Sequence, residues 1–501
     1  MELLNHLQLG FETALTLQNL LYCFVGVFFG TLIGVLPGLG PVATIAMLLP
    51  ATFVLEPVTA LIMLSGIYYG AQYGGSTTAI LINLPGEASS VVTALDGHAM
   101  ARKGRAGVAL ATAAMSSFFA GTVATLLLAL AAPPLASVAL SFGPPEYCAL
   151  IVLGLIASIV LSHGSLIRAI GMILIGLTLG MIGVDANSGM TRMTFNVPEL
   201  YDGLDFVAVA MGMFGIGEIL RNLENESTRV AYHKHVGSMF PSKEDWRRMF
   251  PSTVRGTFIG SALGVLPGGG ALLSSFAAYA VEKKVSKHGA EFGDGAIEGV
   301  AAPEAANNAG SQTSFVPMLT LGIPSNSVMA LMIGAMIIQG IQPGPAVIEQ
   351  QPALFWGIIA SMWIGNLMLV ILNLPLVGLW AKLLTIPYHF LFPGIAVICS
   401  IGVFTMNGSE FDVFTMAAFG ILGYVFGKLG CELTPLLLGF LLGPMLEGYL
   451  RRSLTLSHGD FSVFAERPIA AGLLLTAVGI IALMALPSFK RTREEAFVEE
   501  D

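Results

Sequence analysis

Residues Gly30–Gly40 read GTLIGVLPGLG, and residues Gly260–Gly270 read GSALGVLPGGG. Seven of the eleven positions are identical at a constant offset of 230 in a chain of 501 residues, so the second copy falls almost half a chain after the first. Both copies interrupt strongly apolar sequence with Pro-Gly-x-Gly. Proline removes a backbone donor and glycine has no helix preference, so a helix cannot run undisturbed through either copy. In lipid, broken backbone is tolerated only where protein buries it or where it lines a polar cavity. A matched pair of such breaks in two halves of a membrane protein is the strongest sequence pointer to a transporter's binding site.

A looser correspondence follows each copy. Tyr73-Gly74-Gly75-Ser76-Thr77 lies downstream of the first and Asn308-Ala309-Gly310-Ser311-Gln312-Thr313 downstream of the second; each then reaches another break, Pro85-Gly86 or Pro324-Ser325, with spacings that differ by a few residues.

The surrounding composition fixes the class. Hydrophobic residues make up 55% of the chain, charged residues only 11%, and the mean hydropathy is +0.78. Soluble domains carry about a quarter charged residues, so this is an integral membrane protein. Apolar stretches at about 20 residues per span give about 10–12 spanning or re-entrant helices. The alternating strands of about 10 residues that mark an outer-membrane barrel are not seen. The expected fold is therefore an all-α polytopic membrane protein in two pseudo-symmetric repeats, with broken helices at the midplane. The net charge of −9 comes partly from the acidic tail and points to no nucleic acid. Four scattered cysteines support neither a disulfide framework nor a metal site. The N-terminus shows no basic n-region, so no signal peptide is expected.

Basic residues cluster at Arg102–Arg105, Arg221–Arg255, Lys283–Lys287 and Lys490–Arg493, which the positive-inside rule places in the cytoplasm. The stretch Asp185–Asp205 then falls outside. The second motif is bracketed by Arg255 and Lys283, so its two arms, Gly256–Leu266 and Ala271–Glu282, read as a hairpin approaching from the cytoplasm. The first motif has no flanking Lys or Arg and reads as a hairpin from the outer side. Inverted repeats with tips meeting near the midplane are favoured. One feature fits poorly: the count leaves Arg451 and Arg452 outside, which suggests a re-entrant segment around Cys431–Leu450 or a miscounted span. The organisation expected is a first membrane repeat over 1–220, a cytoplasmic linker over 221–255, a second repeat over 256–487 and a cytoplasmic tail over 488–501.

The candidate binding residues follow from these breaks. Pro37, Gly38, Leu39 and Gly40, with Pro267, Gly268, Gly269 and Gly270, form turns whose glycines let backbone approach a ligand. Helices restarting after such turns present free N–H groups and a positive dipole end to an anion. A packing kink is the competing reading of a single motif. Tyr73, Gly74, Gly75, Ser76 and Thr77, and Asn307, Asn308, Ser311 and Thr313, place amides and hydroxyls densely in apolar sequence. They can donate to carboxylates or coordinate a cation. Glu304 is a carboxylate at membrane depth unless it lies at the interface, and intramembrane carboxylates are functional by default. With Asn83 and Glu87 it is the candidate for ion coupling, by H⁺ or Na⁺, with a Na⁺ position near the Gly turns. No nucleotide-binding lysine motif or nucleophile elbow occurs, so the chain carries no known means of hydrolysing ATP and no expected cofactor.

The residues GVLPGLGP at Gly34–Pro41, YYGAQYGGSTTAILINLPGE at Tyr68–Glu87, DGHAMARKGRAG at Asp96–Gly107, GVLPGGGA at Gly264–Ala271 and EGVAAPEAANNAGSQTSFVPMLTLGIPSN at Glu298–Asn326 together resemble the large membrane subunit of the tripartite tricarboxylate transporter family. The resemblance implies a permease subunit of the bacterial inner membrane. It would work with a small membrane subunit and a periplasmic solute-binding protein, and import citrate-like di- or tricarboxylates by Na⁺ or H⁺ symport. Two other readings stay open on residues alone: a membrane enzyme acting on a small polar or lipid-linked substrate, and a passive anion channel.

Overall fold

The computed structural model describes residues 2–36, 40–162, 165–185, 187–224, 237–266, 270–383 and 388–484. The chain is all-α. The first half runs α1 (Glu2–Ala14), α2 (Leu17–Gly34), α3 (Pro41–Thr52), α4 (Pro57–Ile82), a short turn at Ala88–Ser90, α5 (Val91–Met100), α6 (Ala106–Ala139), α7 (Pro144–Leu161) and α8 (Leu166–Gly180). A two-residue pair, β1 (Gly183–Val184) with β2 (Thr191–Arg192), accounts for the strand among the described residues. Then come α9 (Phe206–Ala210) and α10 (Gly217–Glu224).

The second half runs α11 (Lys243–Gly264), α12 (Gly270–Val285), α13 (Glu298–Thr313), α14 (Phe315–Leu321), α15 (Ser327–Ile338), α16 (Ala346–Gln350), α17 (Pro352–Asn373), α18 (Val377–Leu383), α19 (Tyr388–Asn407), α20 (Glu410–Lys428), α21 (Leu433–Leu456), α22 (Val463–Glu466) and α23 (Pro468–Met484). Among the described residues, six helices are long and apolar enough to cross a membrane and six more are shorter and apolar.

Local chemistry sets the helix starts. Proline occupies the first turn of α3, α4, α7 and α17, where its missing N–H has no intrahelical partner to lose. Ser242 and Asp245 form a reciprocal capping box that opens α11 at Lys243. The helix thus begins well inside the stretch expected to be linker. The first arm of the second hairpin is accordingly a 22-residue helix, not the short one starting at Gly256.

Glycine rows bring helices to backbone contact. α2 and α4 run parallel, and a Cβ on Gly26, Gly30 or Gly34 would run into the carbonyl oxygens of Met63, Ile67 and Ala71. α11 and α13 repeat the arrangement: Gly256, Gly260 and Gly264 press on the carbonyls of Ala302, Ala306 and Gly310. The three glycines of α11 follow those of α2 at the same offset of 230 that relates the two motifs, and their partners on α13 follow those on α4 at 239. Small residues at such spacings let membrane helices approach closely without a hydrophobic driving force.

Charged residues mark the two ends of the helices. At one end, Arg105 pairs with Asp245 at 2.5 Å, and Lys428 pairs with Glu224. At the other, Arg451 bonds Asp185 (3.1 Å) and Glu447 (2.6 Å), and Arg192 bonds the same two acids. Ser188, Arg192, the Asn187 N–H and Arg451 hold the Asp185 carboxyl below the usual range against the opposing effect of burial. α21 is one unbroken helix of 24 residues from Leu433 to Leu456. The suggestion of a re-entrant segment at Cys431–Leu450 is therefore corrected: Arg451 lies on the face of the Asp185 loop because two acids there neutralise it.

Candidate functional site

Two further chain breaks build the site. α4 stops at Asn83, which takes the left-handed conformation (φ 57°), and Pro85 and Gly86 follow. α14 stops at Gly322 (φ 70°), and Pro324 and Ser325 follow. Both breaks then restart a helical segment: Glu87 precedes the turn at Ala88, and the Asn326 side chain caps α15 by accepting from the Met329 N–H at 3.0 Å. Asn83 and Gly322, Pro85 and Pro324, Glu87 and Asn326 are all related by the same offset of 239. Gly75 is required here, because a Cβ would meet the Glu87 backbone and side chain. Asn326 also donates to Ser314 (3.1 Å), whose hydroxyl donates to Gly310 O (2.6 Å).

These breaks open onto one cavity of about 290 Å³. Gly40 and Gly270, the ends of the two Pro-Gly-x-Gly motifs, both line it, with Tyr68, Gln72, Glu87, Ser89, Asn326, Ser327, Glu432 and Thr434. α3, α12, α15 and α21 all begin at its wall, as does the turn at Ala88. Free N–H groups and positive helix ends therefore converge on one space, which favours an anion. None of the described lining residues is Lys or Arg, and two are carboxylates. A second chamber of about 250 Å³ shares Gly40, Glu87 and Ala88 and adds Pro85, Gly86 and Glu218.

One helical turn along α4 lies a separate buried cluster. Glu304 is fully buried. Its carboxylate accepts from Ser76 (2.7 Å to each oxygen), Thr93 (2.5 Å) and Ser117 (3.3 Å), hydroxyls drawn from α4, α5 and α6. Asn308 donates to Ser117 (2.7 Å) and to the Asn307 side-chain oxygen (2.6 Å). A void of about 10 Å³, the size of one water, touches Tyr73, Ser76, Thr77, Ser117, Glu304 and Asn373. The Asn373 Oδ1 is buried beside it without a hydrogen-bond partner among the described residues. Gln72 connects the two regions: its side-chain oxygen accepts from Ser89 (2.8 Å) in the cavity, and its backbone carbonyl stands 3.0 Å from the Ser76 hydroxyl that serves Glu304. The Ser89 hydroxyl also adjoins the Glu87 carboxylate.

The structure thus brings Gly40, Glu87 and Gly270 together at the cavity, and Tyr73, Ser76, Thr77, Glu304, Asn307 and Asn308 in the adjoining cluster. Gly74 instead packs against Thr31 of α2 and Val35 just past its end, and the Thr313 side chain packs against Gly264 and back-bonds to Ala309 O. Ser311 likewise back-bonds to Asn307 O. Asn83 serves as the helix stop. Pro37, Gly38, Leu39, Pro267, Gly268 and Gly269 lie outside the described residues. Sequence reasoning did not select Tyr68, Gln72, Ser89, Thr93, Ser117, Asn326 or Asn373. Asn326 had a signal, since it stands two residues after the second proline as Glu87 stands two after the first.

Broken helices that meet over an acidic, arginine-free cavity, beside a fully buried carboxylate in an all-α polytopic membrane protein, define a membrane transport protein. The chain belongs to the tripartite tricarboxylate transporter TctA family, which it matches over residues 20–438. It is therefore a subunit of a tripartite transporter and not an enzyme. It is 64% identical, over the full 501 residues of both chains, to an uncharacterized 52.8 kDa protein in the TAR-I ttuC' 3' region of Agrobacterium vitis. An uncharacterized protein in the TAR-II ttuC' 3' region of the same organism is 62% identical over 242 residues, covering 48% of this chain and all of that one. No solved structure matches the chain.

Proposed function

We propose that this chain is the permease subunit of a binding-protein-dependent secondary transporter that imports citrate-like di- or tricarboxylates with Na⁺ or H⁺. The observation that carries the reading is the cavity's electrostatics. Several helix N-termini face it, which suits carboxylates. Yet its charged lining residues are Glu87 and Glu432. A bare polyanion entering beside the Glu87 carboxylate is opposed by like charge in a medium that screens it weakly. A proton or cation that enters with the substrate removes that repulsion, which supports coupled transport. An arginine clamp would bind more strongly and release more slowly.

In this reading the substrate lies between the two Pro-Gly-x-Gly turns, against Tyr68, Gln72 and Asn326. Glu304 and Glu87 serve the coupling ion, and the void beside Glu304 and Asn373 is the candidate position for it. The two hairpins form inverted repeats in the bacterial inner membrane. A small membrane subunit and a periplasmic solute-binding protein complete the assembly.

The test is uptake of labelled citrate into proteoliposomes holding this chain, the small subunit and the binding protein, with an imposed Na⁺ or H⁺ gradient. Expected is gradient-driven uptake, competed by unlabelled dicarboxylates and abolished in Glu87→Gln. Flux that ignores both the gradient and the binding protein would instead identify a passive channel. Absence of uptake of any carboxylate under either gradient would remove the substrate assignment.

A further inference from the structure

We propose that the groove between α11 and α12 holds the headgroup of an anionic phospholipid. The two basic clusters around Lys243–Arg255 and Lys283–Lys287, far apart in sequence, meet here around a cavity of about 800 Å³. Its floor is a finished ion network. Arg255 bonds Glu282 at 2.8 and 2.6 Å, and Arg248 bonds Glu298 at 2.9 and 2.7 Å. Glu282 and Glu298 are both buried, and Ser252 and His288 complete their coordination. These acids are consumed by their partners.

What remains at the mouth is cationic. Lys243, Arg247 and Lys287 line the cavity and make no ion pair or hydrogen bond among the described residues, against one unpaired acid, Glu244. Unpaired cations over a floor whose acids are already matched recognise a phosphate.

The apolar surroundings identify which phosphate. Positions 246, 250, 254 and 258 form a stripe along α11 immediately beside the one carrying Lys243 and Arg247. Trp246, Phe250 and Phe258 on that stripe are 44%, 49% and 59% exposed, and Val281 and Val285 on α12 are exposed as well. A soluble anion has no use for such a flank. A phospholipid has: the headgroup meets the cations and the acyl chains run down the aromatic stripe, with Trp at headgroup level. The assignment is independent of the transported substrate.

The test is native mass spectrometry of the purified full-length chain titrated with phosphatidylglycerol or phosphatidylcholine, together with thermal unfolding in nanodiscs of each lipid. Expected are saturable, preferential binding of phosphatidylglycerol and a higher Tm in its presence. In Lys243→Gln/Arg247→Gln/Lys287→Gln the preference should fall on the order of a hundredfold, at about fivefold per charge, while Tm in phosphatidylcholine stays unchanged. Arg452→Gln, at the opposite end, should leave the preference intact. Trp246→Ala/Phe250→Ala should weaken both lipids and keep the preference. Equal binding of both lipids, or a triple variant that keeps the preference, would overturn the proposal. Displacement of short-chain phosphatidylglycerol by an equal concentration of inorganic phosphate would also overturn it, in favour of a soluble-anion site.

Discussion

The helix pair α2–α4 and the helix pair α11–α13 pack alike but carry different chemistry. Both use three glycines, at four-residue spacing, set against the carbonyls of a parallel neighbour. In the first pair the glycines are reciprocated, because Gly66, Gly70 and Gly74 of α4 press back on α2. In the second, α13 offers alanines and keeps its polar side chains for elsewhere. The station on α4 occupied by Ser65 is occupied on α13 by Glu304, and the station of Glu87 by Asn326. One half supplies the buried carboxylate; Ser76, Thr93 and Ser117 of the other half supply the hydroxyls that hold it. Likeness in packing therefore coexists with division of labour in the site, and the carboxylate ties the halves together.

The sharpest way to break this comparison is to load the glycine rows. Gly30→Leu and Gly260→Leu place a side chain into a neighbouring backbone that cannot move aside, and each is expected to cost about 3 kcal/mol or more. The measurement is the yield of monodisperse protein in detergent. If one half tolerates the change, the two pairs are not equivalent.

The next contrast is at the paired stations. Glu304→Ala leaves three hydroxyls facing a hole and should destabilise by about 2–4 kcal/mol, against under about 1 kcal/mol for Ser65→Ala. Thermal unfolding of both variants measures it, and equal shifts would refute the division of labour.

A smaller effect separates Gly40 from Gly270. Gly270 has φ +55° and sits 3.1 Å from Asn326 once a Cβ is added, whereas none of the described residues stands within 4 Å of one on Gly40. Gly270→Ala should cost about 1–2 kcal/mol and Gly40→Ala within about 0.5 kcal/mol. Uptake assays on the stable Gly40→Ala protein would then report on the cavity alone.

The smallest effect concerns the Asp185 cluster. Its folded-state pKa is depressed, so its stabilising contribution is present above the unfolded value, about 3.9, and is lost as pH falls through the folded one. The Tm difference between the wild type and Asp185→Asn should hold from neutral pH to about pH 5 and shrink only in stronger acid. A difference that disappears already near pH 6 would contradict the ion pairing.

Much of the architecture was legible because lipid punishes broken backbone and stray charge. Gly40 and Gly270 face one cavity, and Glu304 is buried within the protein. The start of α11 was not legible from hydropathy, since its first turns carry Lys243, Asp245 and Arg248 and a capping box rather than apolar residues. Thr93 stands alone among apolar neighbours and Ser117 adjoins Ser116, which bonds Thr253 instead; no spacing sets a ligand apart from a passive hydroxyl. Gly74 and Gly75 adjoin in one motif, yet one serves packing and the other lets Glu87 approach. Glycine's missing side chain looks the same in sequence for both tasks.

The cluster of Asp185, Arg192, Glu447 and Arg451 joins two acids with two bases. Moving a lone charge through a membrane potential involves about 2.3 kcal/mol per 100 mV. Held together in the fold, these four side chains carry no net charge, so Arg451 adds nothing to the charge on which a membrane potential acts at its end of the protein. A base matched by acids from another loop is hidden from that voltage once the fold is made.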